Sequence, residues 1–267
     1  MLMFNRMLLS YMALASLLFA GPVLAGTADE IKALKAEVTA LRESQEKMQK
    51  DLEEIKELLQ KGARPAAAPS AQAFQPRTIE LGAIQSRGAP DAPVTLIEYS
   101  DYHCPYCRRH ATTVMPSIIE NYVDTGKVRF VMREFPIDRL HPRARAASVA
   151  ALCAGKQGNY WGMHDALFAD QKASSDDDFR RMAASLDLDV DTFNACMEGD
   201  EFVAQIQSNT VEGQTLGVSG TPSFVVGLTD PEDPNKVNVT RFIRGAQPLP
   251  AFQSAIEELL KTVAMGE

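Results

Sequence analysis

Residues 100–110 read SDYHCPYCRRH and gather two cysteines, two histidines and two arginines into eleven positions. Cys104 and Cys107, separated by Pro105 and Tyr106, have the spacing of a zinc clip, a structural staple or a dithiol that trades electrons. Zinc needs two further ligands. His103 precedes the segment's helix and His110 lies nearly two turns along it, so drawing both onto one metal with the cysteines would strain the turn. Cys153 and Cys196 stand 46 and 89 positions beyond Cys107, with no second C-x-x-C. A staple across two residues closes almost no loop and adds little stability. Redox exchange is the chemistry that the spacing favours.

That chemistry requires elements that treat the two sulfurs differently. PVTLIEYS (93–100) reads as a buried strand leading to Cys104. Pro105 then fits the first position of a helix, where its missing N–H costs nothing. Cys104 therefore meets unpaired N–H groups and the positive end of the helix dipole, which favour a thiolate. Cys107 falls on the apolar stripe with Ala111, Val114, Met115, Ile118, Ile119 and Tyr122, so it is expected to be shielded and Cys104 exposed. An acidic outer thiol backed by a buried one is the arrangement that disulfide exchange uses.

KVRFVMREF (127–135) predicts a second strand after a helix end at 124–126. Residues 141–216 are dominated by helix formers, with a helix start at Ser175 or Asp176. SFVVGL (223–228) and TRFIRG (240–245) return to strand character, and Phe252, Ile256, Leu259, Leu260 and Val263 line a last helix. The order predicts an α/β fold with a central sheet and an all-helical insertion.

Ahead of this domain, Arg6, the apolar run 7–20 and the small residues near Ala25 follow the plan of a secretory signal peptide. The rival reading is an uncleaved anchor, for which the uninterrupted apolar stretch is short. Cleavage near Ala25 and export to the periplasm are expected. Removing Arg6 takes the net charge from −8 to −9, which argues against nucleic acid as a partner.

Residues 28–61 carry a seven-residue rhythm without Gly or Pro. Ile31, Val38, Gln45, Leu52 and Leu59 occupy position a, and Leu34, Leu41, Met48 and Ile55 position d. In a parallel pairing Glu30 would meet Lys35, Glu37 would meet Arg42, and Asp51 would meet Lys56. A single amphipathic helix is the alternative; the narrow stripe and paired charges favour a homodimer or homotrimer through residues 28–61. The Pro/Ala-rich segment 62–77 reads as a tether. The expected organisation is thus a signal peptide at 1–25, a coiled-coil helix at 26–61, a linker at 62–77 and the α/β domain at 78–267, its helical insertion at about 141–216.

EYSDYHCPYC after a strand, with GVSGTPSFVV (217–226) after a helical block, resembles the thioredoxin superfamily and its DsbA-like branch over residues 92–264. The resemblance implies a thioredoxin-like fold with an all-helical inserted domain, preceded here by the coiled-coil helix, and a protein-disulfide oxidoreductase or isomerase. It makes Cys104 and Cys107 the redox-active pair, with no other cofactor. Pro222 would be cis opposite the dithiol, with the Thr221 backbone, Pro105 and Tyr106 meeting the substrate. Glu98, otherwise readable as an outward strand residue, would be a buried acid exchanging protons with Cys107. Pro-Tyr between the cysteines, where typical DsbA oxidases have Pro-His, implies a milder oxidant and resembles the isomerase-type members. The implied partners are unfolded or misdisulfided exported proteins and a membrane redox protein. A non-catalytic binding module on the same fold, or a dedicated thiol reductase, is the alternative.

Cys153 and Cys196 fall in the helical insertion, either as buried thiols or as a structural disulfide; export tilts the reading to the disulfide. His164 has the spacing of a packing residue beside Trp161 and Phe168. His141-Pro142 looks like a helix entry. Arg108 and Arg109 either steer clients or stay solvated.

Overall fold

The computed structural model describes residues 24–60, 74–82 and 85–265, and the chain divides into two compact units, 1–71 and 72–267. Residues 1–23 of the expected signal peptide and most of the expected linker lie outside the described residues. In the first unit, α1 runs Leu24–Gln60. Its seam residues Ile31, Leu34, Val38, Leu41, Met48 and Leu52 all stand exposed, an apolar stripe that the isolated helix leaves in water.

The second unit is built on six strands: β1 (Arg77–Glu80), β2 (Gln85–Arg87), β3 (Val94–Ser100), β4 (Val128–Glu134), β5 (Ser223–Thr229) and β6 (Lys236–Arg244). Their order is β1-β6-β5-β3-β4-β2. β3 and β4 are parallel and the other pairs antiparallel. Every residue of β3 and β4 is buried, as expected for central strands covered on both faces. On one face Leu96, Phe130, Phe224 and Val226 pack against Ile118, Phe252 and Ile256.

After β3 come α2 (Pro105–Thr113), α3 (Met115–Ile118) and a π-helical turn (Ile119–Val123). The single helix expected through Tyr122 is thus broken at Val114 (φ −111°, ψ −47°). Pro116, two residues later, has no N–H for the carbonyl one turn back and its ring crowds that turn. The insertion comprises α4 (Ala144–Lys156), α5 (Tyr160–Ala169), α6 (Asp176–Ser185), α7 (Val190–Glu198) and α8 (Val203–Thr215). Ser175 caps α6 in a reciprocal box with Asp178. A disulfide joins Cys153 of α4 to Cys196 of α7. The last helix, α9 (Leu249–Met265), buries Phe252, Ala255, Ile256 and Leu259.

Candidate functional site: a dithiol at the start of α2

The β3 strand hands the chain to Asp101, a buried carboxylate that organises the turn. It accepts from the backbone N–H of His103 (2.8 Å) and of Ile137 (2.8 Å), and its Oδ2 lies 2.9 Å from His141 Nδ1. Gln171 adds a second clamp by donating to the carbonyls of Tyr102 (2.7 Å) and Cys104 (2.9 Å). Nothing in the local sequence marks either residue, because Gln171 and, apart from the His103 N–H, Asp101 act through partners far along the chain.

Cys104 is the N-cap of α2 and Pro105 its first residue. Both cysteines are free. The Cys104 thiol is lowered to about 6, chiefly by a hydrogen bond with Cys107, opposed by its own burial and helped by Thr221 and by backbone N–H groups of Cys107 and Tyr106. Cys107 is pushed well above the ordinary thiol range by burial first, then by Cys104 and by the charge of Glu98. At neutral pH the outer sulfur is therefore a thiolate and the inner one a thiol. One expectation needs correcting: Cys104 keeps only 5 % of its surface exposed, against 0 % for Cys107.

The Thr221–Pro222 peptide is cis, and Cys104 Sγ lies 3.3 Å from the Thr221 carbonyl oxygen, to which it donates in its thiol form. The Pro222 carbonyl is held by Gly245 N–H at 2.9 Å. Pro105 is exposed and Tyr106 is 58 % exposed. Arg109 stacks 5.4 Å from the Tyr106 ring centre while donating to the Ala246 carbonyl (3.0 Å). Arg108 is exposed.

Beneath the thiols, Glu98 is fully buried. Burial raises its carboxyl to about 8, with Ser100 opposing and the charges of Cys104 and Glu134 adding. A second acid, Glu134 at the end of β4, also buried, is raised to about 7, again chiefly by burial and against hydrogen bonds from Tyr160, Ser148 and Tyr102. Tyr160 Oη donates to its Oε1 at 2.5 Å, and the Tyr102 and Tyr160 hydroxyls lie 2.9 Å apart. Sequence reading missed Glu134; the signal for it was a carboxylate inside the apolar run VRFVMRE. Two of the remaining histidines are engaged elsewhere. His103 Nε2 meets the Ala173 carbonyl (3.0 Å), and His164 packs among Tyr102, Trp161 and Phe168 with Nδ1 on Asp165 (2.7 Å). His110 is buried between Phe224 and Phe252.

Comparison with known proteins agrees with this geometry. A family model described as thioredoxin matches residues 82–243, more than half of the chain. A crystal structure of alpha-DsbA1 from Wolbachia pipientis superposes with TM-score 0.61 at 27% identity, covering 71% of this chain and 97% of that one. A probable disulfide bond formation protein D from Bacillus anthracis is 29% identical over 157 residues, 55% of this chain and 72% of that protein. A Na(+)/H(+) antiporter NhaA 3 of Salinispora tropica is 39% identical over 140 residues, 52% of this chain but 21% of the antiporter. The chain spans about a fifth of the length of the curated antiporters it matches. By the extent of the family match and by its fold, the chain belongs to the thioredoxin family, in its DsbA-like form.

Proposed function

We propose that this chain is an exported protein thiol–disulfide oxidoreductase that forms and isomerises disulfides in client proteins through Cys104 and Cys107. The observation that carries the reading is the asymmetry of the two sulfurs. Cys104, on the helix N-cap, is lowered to about 6, and Cys107, one turn behind it, is raised by burial.

In the oxidising direction a client thiolate attacks Cys104 Sγ of the Cys104–Cys107 disulfide. The S–S bond breaks, its electron pair leaves on Cys107 Sγ, and that sulfur takes a proton from the Glu98 carboxyl. A second client thiolate then attacks the client sulfur of the mixed disulfide, releasing an oxidised client and the Cys104 thiolate. In isomerisation the reduced Cys104 thiolate opens a wrong client disulfide, another client thiol displaces it, and no net electrons move. Thr221 presents its carbonyl beside Cys104, which supports strand-like pairing with the client backbone over Pro105, Tyr106 and the cis Pro222. Pro-Tyr between the cysteines lacks the imidazole of the Pro-His oxidases, and this supports a milder potential. A membrane redox protein would restore the dithiol to its working state.

The exposed seam of α1, together with the Glu37–Arg42 and Asp51–Lys56 complementarity, supports self-association as a dimer or trimer. Two or three dithiols would then meet one client at high effective concentration. Signal cleavage near Ala25 would deliver the chain to the periplasm; no helix among the described residues is long and apolar enough to cross a membrane. The deciding experiment measures glutathione exchange and refolding of scrambled ribonuclease by the mature chain and by a chain lacking residues 26–61. The reading expects both to exchange thiols and only the longer one to isomerise efficiently. Absence of exchange in both defeats the oxidoreductase reading, and equal isomerisation defeats the role of α1.

A further inference from the structure

One buried ionisable side chain near the dithiol has no part in the scheme above. His110 lies one turn beyond Cys107 in α2 and is 0 % exposed. Its ring faces Phe224 at 4.5 Å and Phe252 at 5.1 Å. Neither ring nitrogen has a hydrogen-bond partner, and neither carboxyl oxygen of Glu98 has one. The two unsatisfied groups face each other: His110 Nε2 is 3.6 Å from Glu98 Oε2. Leaving both unpaired in an apolar interior is costly. A closure of about half an ångström brings them to ordinary hydrogen-bond distance.

We propose that His110 is a positioning residue for Glu98, its Nε2–H held ready to donate to the Glu98 carboxylate that forms when Glu98 gives its proton to Cys107. The inference rests on the oxidoreductase reading above. Burial first, and the charge of His164 second, push the His110 imidazole down to about 3, so the ring stays neutral with one N–H. While Glu98 is protonated, that N–H faces the carboxyl oxygen that carries no proton, and the O–H is left for Cys107. As the Cys104–Cys107 bond breaks and its electron pair settles on Cys107 Sγ, the proton moves from Glu98 to that sulfur. The histidine proton does not move; its hydrogen bond shortens onto the new carboxylate, the stronger of the two pairings. Tautomer exchange and a path to water are both unnecessary.

Other ionisable groups face the same space. From α2 these are Cys104 and Cys107, from β4 Glu134, and from the turn before α2 Tyr102. The Ser100 hydroxyl, itself without a hydrogen-bond partner, is near enough to Glu98 to oppose the effect of burial on its carboxyl. β5 and α9 pack Phe224 and Phe252 against His110. Among these groups the charges of Cys104 and Glu134 repel an ionised Glu98, and none of them is a nitrogen donor. His110 is the N–H donor on hand.

The test titrates Glu98 in the reduced protein by infrared difference spectroscopy, its carboxyl band being the one that Glu98→Gln removes. His110→Phe keeps the aromatic packing and deletes the donor, and should raise the Glu98 midpoint by about one pH unit, the worth of a hydrogen bond to a charged group. His110→Gln restores an N–H and should bring the midpoint back towards that of the unaltered protein. A midpoint unchanged in a folded His110→Phe protein overturns the proposal. If that variant does not fold, 15N NMR of the unaltered protein decides. An Nε2–H resonance that shifts as Glu98 ionises supports the role, and a resonance that ignores Glu98 or a ring protonated on Nδ1 overturns it. Absence of glutathione exchange in the unaltered protein would defeat the oxidoreductase reading while leaving both titrations legible.

Discussion

Replacing Glu98 by glutamine removes a carboxyl that folding moves from its ordinary value of 4.5 to about 8. Between those two values the folded protein holds a proton that the unfolded chain has lost, so the stability linked to Glu98 is complete below pH 4.5 and declines as pH rises towards 8. The loss is about 1.4 kcal/mol per pH unit inside this window, or about 3 kcal/mol between pH 5 and pH 7.5. Glu134, raised to about 7, adds a decline of the same sign. Cys104, lowered to about 6, contributes in the opposite sense as its thiolate forms. Both are present in the two proteins, so the difference between them isolates Glu98. Urea unfolding, followed by the fluorescence of Trp161, the sole tryptophan, which packs against Phe130 and Tyr160, supplies the assay with the active-site thiols reduced. The E98Q protein should gain on the unaltered one by about 3 kcal/mol from pH 5 to pH 7.5. Any constant effect of the amide drops out of that slope. A difference that stays level with pH would refute the argument that burial keeps this carboxyl protonated.

Removing the disulfide by Cys153→Ala with Cys196→Ala should lower unfolding stability by about 4 kcal/mol, from the 43-residue separation that it closes; the same urea assay reads it. Because that bond lies in the helical insertion, the reactivity of Cys104 should stay unchanged. Introducing Leu34→Lys with Leu41→Lys places charges on the exposed seam of α1. Sedimentation should then report monomers where the unaltered chain gives dimers or trimers, and equal masses for both would remove the coiled-coil reading.

Some features were legible in the sequence because local chemistry sets them. Pro105 at the first helical position placed Cys104 on the N-cap, and the β-branched runs became β3, β4 and β5 within a residue or two. The short edge strands β1 and β2 escaped notice, since Arg77–Glu80 and Gln85–Arg87 carry little strand character and exist by pairing with β6 and β4. The break before Pro116 was written in the chain but masked by an apolar stripe that continues past it. Asp101, Glu134 and His110 were hidden for a different reason. Their partners lie as far off as His141, Tyr160 and Phe252, and only the folded sheet brings them under the dithiol. The spacing of Cys153 and Cys196 left two readings open because the packing of α4 against α7, not the interval between them, brings the sulfurs together.

The most direct test of the account follows alkylation of the reduced protein against pH, with mass spectrometry to assign the modified cysteine. The account predicts a rate that rises with a midpoint near pH 6, modification of Cys104 alone, and Cys107 silent until the protein unfolds. A midpoint near the ordinary thiol value of 9, or first modification at Cys107, would contradict it.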